Sequence, residues 1–321
     1  MPWLWGAADM PDDGDPAFLR PLRLAIVGLG LMGGSLALAL RGRCATLLGI
    51  DPDPATLDLA RRTHLVDAAS ADPADLLPQA DAIVLAAPVN AILGLLEALP
   101  SLHPGPALVI DLGSTKTAIV EAMGRLPECF DPIGGHPMCG KERGGLAQAD
   151  ANLFRGAPFA FTPVARLETH PDQNIGAGHL ASLQAGSSVG RFAAALAAAV
   201  GARPLWLDPV THDRWVASTS HLPYLVANAL AGCTPLEAAP LVGSGFRSAT
   251  RLAPTPPGMM MDVLMTNSQN IRTAAHRFCE VMSRIEALLA AGDYAALQEL
   301  LEGGARMQIE LVEANERGKP L

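Results

Sequence analysis

A glycine-rich turn between two short apolar runs constrains the fold of this chain more than any other feature. Gly28, Gly30 and Gly33 have the spacing G-x-G-x-x-G, the run LAIV precedes them, and a second apolar run ends on Asp51. A strand before the glycines, a helix after them and an acid about 20 residues further on are the context in which this spacing binds a dinucleotide. The sequence therefore predicts a βαβ unit with a cofactor at the turn. A glycine-rich turn without a ligand is the alternative.

Each part of this unit has a predicted role. Gly28 allows a tight turn, Gly30 lets the backbone approach a pyrophosphate, and Gly33 lets the helix pack close to the strand. Asp51 can accept hydrogen bonds from an adenosine ribose. Asp53 adds negative charge where a 2′-phosphate would lie, so we expect NAD rather than NADP. The predicted cofactor-binding residues are this turn, the acid and two further strand ends: Gly28, Leu29, Gly30, Leu31, Met32, Gly33, Asp51, Ala87, Pro88 and Ser114.

Length and periodicity predict two domains. The chain has 321 residues, more than most single cores contain, and strands alternate with helices up to Asp208, after which only helical spacing follows. Such alternation gives a parallel sheet covered on both faces. We expect an α/β Rossmann-type domain at residues 22–208 and an all-α C-terminal domain for substrate binding and dimerisation at residues 209–321. Residues 1–21 are predicted to be a flexible tail and residues 166–190 a long surface loop.

Composition argues against several classes of function. A net charge of −9 disfavours a nucleic-acid partner, which would require basic patches. Five cysteines without a C-x-x-C pair favour a reducing compartment. Residues 1–21 have no basic segment typical of a signal peptide, and no apolar run reaches transmembrane length. We therefore expect a cytoplasmic protein with no membrane partner, and we expect no metal site.

A second glycine-rich segment, residues 133–145, contains the candidate catalytic residue. Five of its thirteen residues are glycine, and they surround His136. A histidine has a pKa near neutrality, so it can accept a hydroxyl proton while hydride leaves the same carbon. We expect His136 just beyond a strand, at the edge of the sheet where such folds bind ligands. A purely structural hydrogen-bonding role is the alternative. Cys139 is not expected to act, because hydride transfer needs no thiolate.

Other polar residues remain open to two interpretations. Ser114 lies in a Gly-Ser-Thr-Lys turn, where it could cap a helix, face a ligand, or do both. His221 suits either a helix core or a binding site. Arg247 and Arg251 are four residues apart and would share one face of a helix, where they could be solvated or bind carboxylates through their planar guanidinium groups.

Taken in order along the chain, these motifs resemble the prephenate/arogenate dehydrogenase family of tyrosine biosynthesis. The resemblance covers about residues 22–315. It rests on five motifs: the fingerprint Gly28–Gly33, Ser114-Thr115-Lys116, Gly135-His136-Pro137-Met138 with Gly140 and Glu142, His212-Asp213 with Ser220-His221-Leu222-Pro223, and Gly245-Phe246-Arg247 with Thr250-Arg251.

This resemblance implies a reaction. Hydride passes from the C4 carbinol of a cyclohexadienyl ring to NAD(P), carbon dioxide departs, and prephenate becomes 4-hydroxyphenylpyruvate or arogenate becomes tyrosine. It implies that His136 polarises the C4 hydroxyl, that Ser114 hydrogen-bonds both, and that Arg251 binds a substrate carboxylate. It also implies a homodimer through the helical domain. The remaining substrate-binding residues that it implies are His212, Ser220, His221, Tyr224 and Arg247.

Two departures from the family pattern affect the predicted substrate. Many prephenate-specific members have a second histidine where this chain has Tyr224. An acid often follows the Gly-Phe-Arg arginine, where this chain has Ser248. Use of arogenate, or of both substrates, is therefore an open expectation.

Two other functions are compatible with the fingerprint. A β-hydroxyacid dehydrogenase would need a catalytic lysine on a helix of the second domain, but the chain has no lysine between Lys141 and Lys319. A regulator that binds NAD without turnover would need the fingerprint, but not His136, Ser114 and Arg251 together. Production of NADH from prephenate or arogenate distinguishes these cases.

Overall fold

The fold is described by a computed structural model that covers residues 14–141, 143–164 and 187–317. The strands of this part of the chain are β1 Arg23–Val27, β2 Thr46–Ile50, β3 Ala68–Ser70, β4 Ala82–Leu85, β5 Ala107–Asp111, β6 Phe130–Pro137, β7 Pro158–Thr162 and β8 Arg203–Trp206. They form one sheet in the order β3-β2-β1-β4-β5-β6-β7-β8. Strands β1 to β6 are mutually parallel, so the predicted Rossmann-type sheet is confirmed.

Strand β7 is the exception to the parallel arrangement. It runs antiparallel to β6, with His136 paired to Ala160, and β8 then pairs with β7 in parallel. A parallel return needs a long crossover, usually through a helix. In the described part of the segment between β6 and β7, the helical structure is the three-residue 3-10 helix Leu146–Gln148, which is too short for such a crossover.

Helices cover both faces of the sheet. They are α1 Leu31–Leu40, α2 Pro54–Arg62, α3 Pro73–Leu76, α4 Val89–Leu102, α5 Thr117–Met123 and α6 Ser188–Val200. Leu36 of α1 and Phe192 of α6 are fully buried in one apolar core, and Ile92 of α4 and Ile119 of α5 in a second core. The central strands β1, β2, β4 and β5 are mostly apolar because both of their faces are buried.

The region after β8 is helical, as predicted. Its helices are α7 Pro209–Val216, α8 Leu222–Cys233, α9 Ser244–Ala249, α10 Pro257–Thr266, α11 Ser268–Ala291 and α12 Tyr294–Arg317. Two long helical stretches of this region are each divided. A π-helical turn, Ala217–His221, separates α7 from α8, because Pro223 has no backbone N–H to continue the α-helical hydrogen bonds. Asn267 separates α10 from α11.

The chain forms two compact units. One ends at Asn267, and the other, from Ser268 onwards, contains α11 and α12. The domain boundary that we place near Asp208 stays a prediction. Among the described residues, no helix is long and apolar enough to span a membrane.

Part of the predicted N-terminal tail is structured. Pro16–Leu19 form a 3-10 helix whose Leu19 is fully buried, so the expectation of a flexible tail is wrong for this segment. Its apolar residues pack in the same core as α6. Residues 1–13 and residues 166–186 of the predicted loop lie outside the described residues.

Candidate active site

The carboxyl ends of the central strands lie side by side at one edge of the sheet. Val27 of β1 pairs with Leu85 of β4, and Leu85 pairs with Asp111 of β5. The turns that follow these residues therefore share one edge. Strand order reverses between β1 and β4, and ligands bind at such a switch point in open α/β sheets.

The fingerprint turn has the shape that a dinucleotide requires. Gly28 has φ +97°, and a Cβ atom there would lie 2.4 Å from the carbonyl oxygen of Ala86. A Cβ on Gly33 would lie 1.8 Å from the carbonyl oxygen of Gly28, whereas one on Gly30 would meet nothing within 4 Å. Gly30 precedes α1 without a side-chain cap, so the first N–H groups of α1 have no side-chain acceptor at the cap position. The turn thus combines a close-packed inner side with an open outer side, which fits a pyrophosphate.

Asp51 connects the fingerprint turn to the end of β2. Its Oδ2 accepts a hydrogen bond from Leu29 N at 2.7 Å, and its Oδ1 accepts one from Asp53 N at 2.9 Å. Asp53 in turn caps α2. Each carboxylate oxygen has a second lone pair, so the predicted ribose contact of Asp51 is compatible with these bonds and stays a prediction.

His136 lies within β6 and not beyond it, which corrects the expectation that it sits in a loop. The segment stays extended because β6 continues its pairing with β7 through Pro137. His136 is 8% exposed, and its Nδ1 lies 2.9 Å from Nε2 of His212. Among the described residues, the His136 ring makes this one hydrogen bond. Its Nε2 has no partner there and could bind a ligand.

His212 is also bound at its second ring nitrogen. Its Nδ1 lies 2.9 Å from Oδ1 of Asp213. The carboxylate of Asp213 accepts further hydrogen bonds from the backbone N–H groups of Lys116 at 2.7 Å and Thr117 at 2.9 Å, and so caps α5. The N-cap interpretation of Ser114 is therefore wrong, because α5 begins at Thr117 and Lys116 occupies the cap position.

A third histidine completes this cluster. The side-chain amide nitrogen of Asn267 lies 2.7 Å from the carbonyl oxygen of Asp213 and 3.3 Å from Nδ1 of His221. His221 is 1% exposed, and its Nε2 has no hydrogen-bond partner among the described residues. Burial lowers the pKa of His221 to about 4. His221 therefore carries a buried, uncharged ring with one nitrogen free for a ligand.

A buried ion pair contacts the backbone of Gly135, the residue before His136. Lys116 and Asp111 are both fully buried, and the ammonium of Lys116 donates to the Asp111 carboxylate. Lys116 Nζ also donates to the carbonyl oxygen of Gly135 at 2.7 Å. Burial lowers the pKa of Lys116, and Asp111 opposes that shift. The sequence did not predict Asp111, Asp213 and Asn267 as site residues. Asp111 could have been found, because it is an acid at the end of a buried strand.

His136 is held in its neutral form by its surroundings. Burial lowers its pKa well below 6.5, and the nearby His212, Lys116 and His221 lower it further. A neutral imidazole is the form that can accept a proton.

The remaining predicted residues differ in how far they are buried. Ser114 and Ser220 are half-buried, Tyr224 is buried in α8, and Arg247 and Arg251 are exposed. The helix α9 ends at Ala249, so Arg251 lies in the following turn and not on one helical face with Arg247. The hydrogen-bonded chain from Asp213 to His136 includes neither arginine. Ala87 is half-buried and Pro88 is exposed, and the two residues lead into α4.

Two kinds of chemistry find no support in this part of the chain. Burial raises the pKa of the Cys139 thiol to about 11, which opposes formation of a nucleophilic thiolate. Within residues 14–141, 143–164 and 187–317, no three His, Cys, Asp or Glu side chains are grouped as metal ligands.

Comparison with known proteins identifies the family. A model described as prephenate dehydrogenase, nucleotide-binding domain, matches residues 36–175, and one described as prephenate dehydrogenase, dimerization domain, matches residues 208–303. The chain belongs to the prephenate dehydrogenase family. The predicted fold class, a Rossmann-type domain followed by a helical domain, is confirmed by these matches and by the sheet.

Individual relatives are similar to this chain over most of its length. Prephenate dehydrogenase of Bacillus subtilis is 29% identical over 83% of this chain and 68% of its own length. The crystal structure of prephenate dehydrogenase from A. aeolicus with hydroxyphenyl propionate and NAD+ has a TM-score of 0.76 and 26% identity, over 91% of this chain and 99% of that one. Synechocystis arogenate dehydrogenase has a TM-score of 0.68 and 31% identity, over 89% and 99% of the two chains.

Proposed function

We propose that this protein catalyses the NAD-dependent oxidative decarboxylation of prephenate, arogenate or both. The observation that carries the proposal is His136, a neutral, nearly buried histidine at the sheet edge whose Nε2 has no partner among the described residues. The dinucleotide turn opens at the same edge. Similarity to the A. aeolicus and Synechocystis enzymes supports a cyclohexadienyl substrate.

The chemistry that we assign to His136 is proton transfer at the C4 hydroxyl. NAD, when bound, accepts the C4 hydrogen as hydride. His136 Nε2 takes the hydroxyl proton as that hydride leaves, so that C4 becomes a carbonyl carbon. The C1 carboxylate then departs as carbon dioxide, its electron pair makes the ring aromatic, and His136 returns the proton to the phenol oxygen. The protein therefore has to position the ring, accept one proton and bind the side-chain charge.

Other residues are assigned to binding. We assign Ser114, half-buried in the turn after β5, to the substrate hydroxyl. His221 offers a buried ring nitrogen to the substrate or the cofactor. Arg251, with Arg247 as a second basic group, is assigned to a substrate carboxylate, because guanidinium groups bind carboxylates in two parallel hydrogen bonds. Ser220 and Tyr224, which lie in and after the π-helical turn, are assigned to the substrate side chain.

The cofactor assignment and the assembly are part of the proposal. Asp51 and Asp53 place negative charge at the end of β2, which favours NAD over NADP. The second compact unit exposes many large apolar side chains, and the dimerization-domain model matches residues 208–303, which include all of α11. We infer a homodimer formed through α11 and α12, and a cytoplasmic location.

The test is the appearance of NADH absorbance with NAD and either prephenate or arogenate. We expect turnover with at least one substrate, and a loss of about 10²–10⁴-fold in kcat for His136→Asn. A His136→Asn variant with wild-type kcat would show that His136 is not the base. No turnover with either substrate, with NAD still bound, would instead indicate a regulator that senses the cofactor.

A further inference from the structure

The carboxylate of Asp213 is held in one orientation by groups outside the histidine cluster. Its two oxygens accept the backbone N–H groups of Lys116 at 2.7 Å and Thr117 at 2.9 Å. Asn267 donates to the backbone carbonyl oxygen of the same residue at 2.7 Å. The Asp213 side chain is 2% exposed, so water does not compete for these bonds. This carboxylate therefore has a fixed direction before it meets His212.

Asp213 determines which nitrogen of His212 carries the proton. Burial raises the pKa of Asp213, but the hydrogen bonds from His212, Thr117 and Lys116 outweigh that effect, so its pKa lies below the usual value. An ionised carboxylate can only accept a hydrogen bond, so His212 Nδ1, 2.9 Å from Oδ1, is the donor. Burial holds the pKa of His212 below its usual value. The ring is neutral, and its Nε2 has a lone pair.

His212 in turn determines the tautomer of His136. Because His212 Nε2 can only accept, Nδ1 of His136 must donate across the 2.9 Å that separates the two atoms. A neutral histidine has one N–H group. Once Nδ1 carries the hydrogen of His136, its Nε2 has the lone pair, and this is the nitrogen that can take a proton.

We propose that Asp213 and His212 are positioning residues that hold His136 in the tautomer with Nε2 as the free base. The inference rests on the proposed function, because it concerns the proton that His136 takes from the C4 hydroxyl. When that proton binds to Nε2, the Nδ1–H bond to His212 is kept, and the negative charge of Asp213 stabilises the imidazolium. No proton has to move to His212 or Asp213. The position of His136 alone does not determine its tautomer. The hydrogen bonds between the three side chains do.

This role differs from the one that the family resemblance implies for His212. Both of its ring nitrogens are used, one by His136 and one by Asp213. The residue is also only 1% exposed. His212 therefore has no ring nitrogen left for substrate, and its effect on the reaction passes through His136.

A matched pair of His212 variants tests whether hydrogen bonding or packing matters. In His212→Gln the amide can still donate to Asp213 and accept from His136, whereas His212→Leu fills similar space without either bond. We expect His212→Gln to keep kcat within about 10-fold of wild type, and His212→Leu to lose about 10²–10³-fold in kcat with little change in KM. Equal losses in two folded variants with matching Tm would overturn the proposal, as would wild-type kcat in His212→Leu.

A second variant changes the tautomer directly. In Asp213→Asn the side-chain NH₂ replaces one of the two carboxylate oxygens. When it takes the position of Oδ1, it donates to His212 Nδ1, which places the His212 proton on Nε2 and forces His136 to carry its own proton on Nε2. The loss of kcat should reach about 10²–10⁴-fold, as expected when a base is held in the wrong tautomer. Asp58→Asn, which removes an exposed carboxylate paired with Arg62, is the matched control and should leave kcat unchanged.

The ¹⁵N chemical shifts of the histidine rings provide a readout that does not depend on activity. In wild type, Nε2 of His136 should resonate as an unprotonated nitrogen at pH 8, and in Asp213→Asn as a protonated one. A protonated His136 Nε2 in the wild type would overturn the tautomer assignment even if the enzyme turns over. The unprotonated signal in a protein without turnover would leave the tautomer assignment intact and refute the proposed function instead.

A double variant shows whether His212 acts through His136. If it does, His212→Leu should lower kcat little further in a His136→Asn background, because residues that act as one unit have non-additive effects. A full additional loss of 10²-fold or more would show that His212 acts independently and would overturn its role as a positioning residue.

Discussion

Asp111 binds the backbone of Gly135, the residue before His136. Its Oδ1 accepts the Gly135 N–H at 3.0 Å, while its partner Lys116 donates to the Gly135 carbonyl oxygen at 2.7 Å. One buried ion pair thus binds both backbone polar groups of a single residue in β6. Lys116 also bonds through its own N–H to Asp213. The same residue therefore connects the end of the sheet to the carboxylate that orients His212.

The first prediction concerns the stability of this buried pair. Lys116→Met should lower the free energy of unfolding by about 3–5 kcal/mol, because it leaves the Asp111 carboxylate buried and unpaired. Chemical denaturation measures the loss. Lys141→Met, which removes the partner of Asp150 in an exposed ion pair, is the control and should cost less than about 1 kcal/mol. A Lys116→Met variant as stable as this control would contradict the importance of the pair.

The second prediction concerns the pH dependence of the reaction. His136 must be unprotonated to act as a base, and burial with its charged and polar neighbours lowers its pKa well below 6.5. The acid limb of kcat/KM, which reports the free enzyme, should therefore have its midpoint below pH 6.5, and activity should persist into mildly acidic solution. The groups near the ring are His212, His221 and Lys116. A midpoint above pH 6.5 would be inconsistent with the buried environment of His136.

Much of this fold could be predicted from local patterns, whereas the site could be predicted only in part. The glycine spacing and Asp51 depend on neighbours along the chain, and they led to the correct sheet. The pairing of His136 with His212 joins residues 76 positions apart, and no periodicity reports it. The same holds for the contact that the Asp213 side chain makes with another helix. Asp213 caps α5, which lies almost 100 residues earlier in the chain.

The extended conformation of His136 shows a second limit of sequence patterns. Five glycines in residues 133–145 are typical of a loop, but pairing with β7 keeps the first of them in a strand. Tertiary pairing outweighs local preference there, since Gly135 is packed so closely that a Cβ would lie 2.5 Å from the carbonyl oxygen of Asp111. The glycine at this position is explained by close approach of two backbones, not by a turn.

The third prediction concerns the choice of cofactor. Asp53→Ser removes a negative charge near the end of β2 but keeps a side-chain oxygen that can cap α2. We expect the ratio of kcat/KM for NADP to that for NAD to rise by about 5- to 10-fold, because a 2′-phosphate then meets one like charge fewer, that of Asp51 remaining. Asp58→Ser, further along α2, removes an equal charge and should leave the ratio unchanged. Wild-type enzyme that uses NADP better than NAD would refute the underlying assignment.

The fourth prediction concerns the substrate carboxylate. Arg251→Gln should raise KM for the substrate by about 10- to 100-fold with a smaller change in kcat, because a charge-assisted hydrogen bond is made in the ground state and the transition state alike. Steady-state kinetics with saturating NAD measure both constants. Arg125→Gln removes an exposed arginine that pairs with Glu121 on α5, and it should leave both constants unchanged. An unchanged KM in Arg251→Gln would show that another group binds the carboxylate.

The last prediction concerns assembly through the helical unit. On α11, the side chains of Phe278, Val281, Met282 and Leu289 are between 38% and 52% exposed, and their spacing of three, four and eleven residues places them on one stripe of the helix. Exposure of a stripe of apolar side chains to water is unfavourable in free energy, and a second copy of the chain would cover the stripe. Met282→Glu places a charge within the stripe and should prevent the proposed dimer from forming, so that the variant sediments as a monomer in sedimentation velocity. Ser283→Glu adds the same charge away from the stripe and should leave the dimer intact; dissociation by both variants, or by neither, would show that this stripe is not the interface.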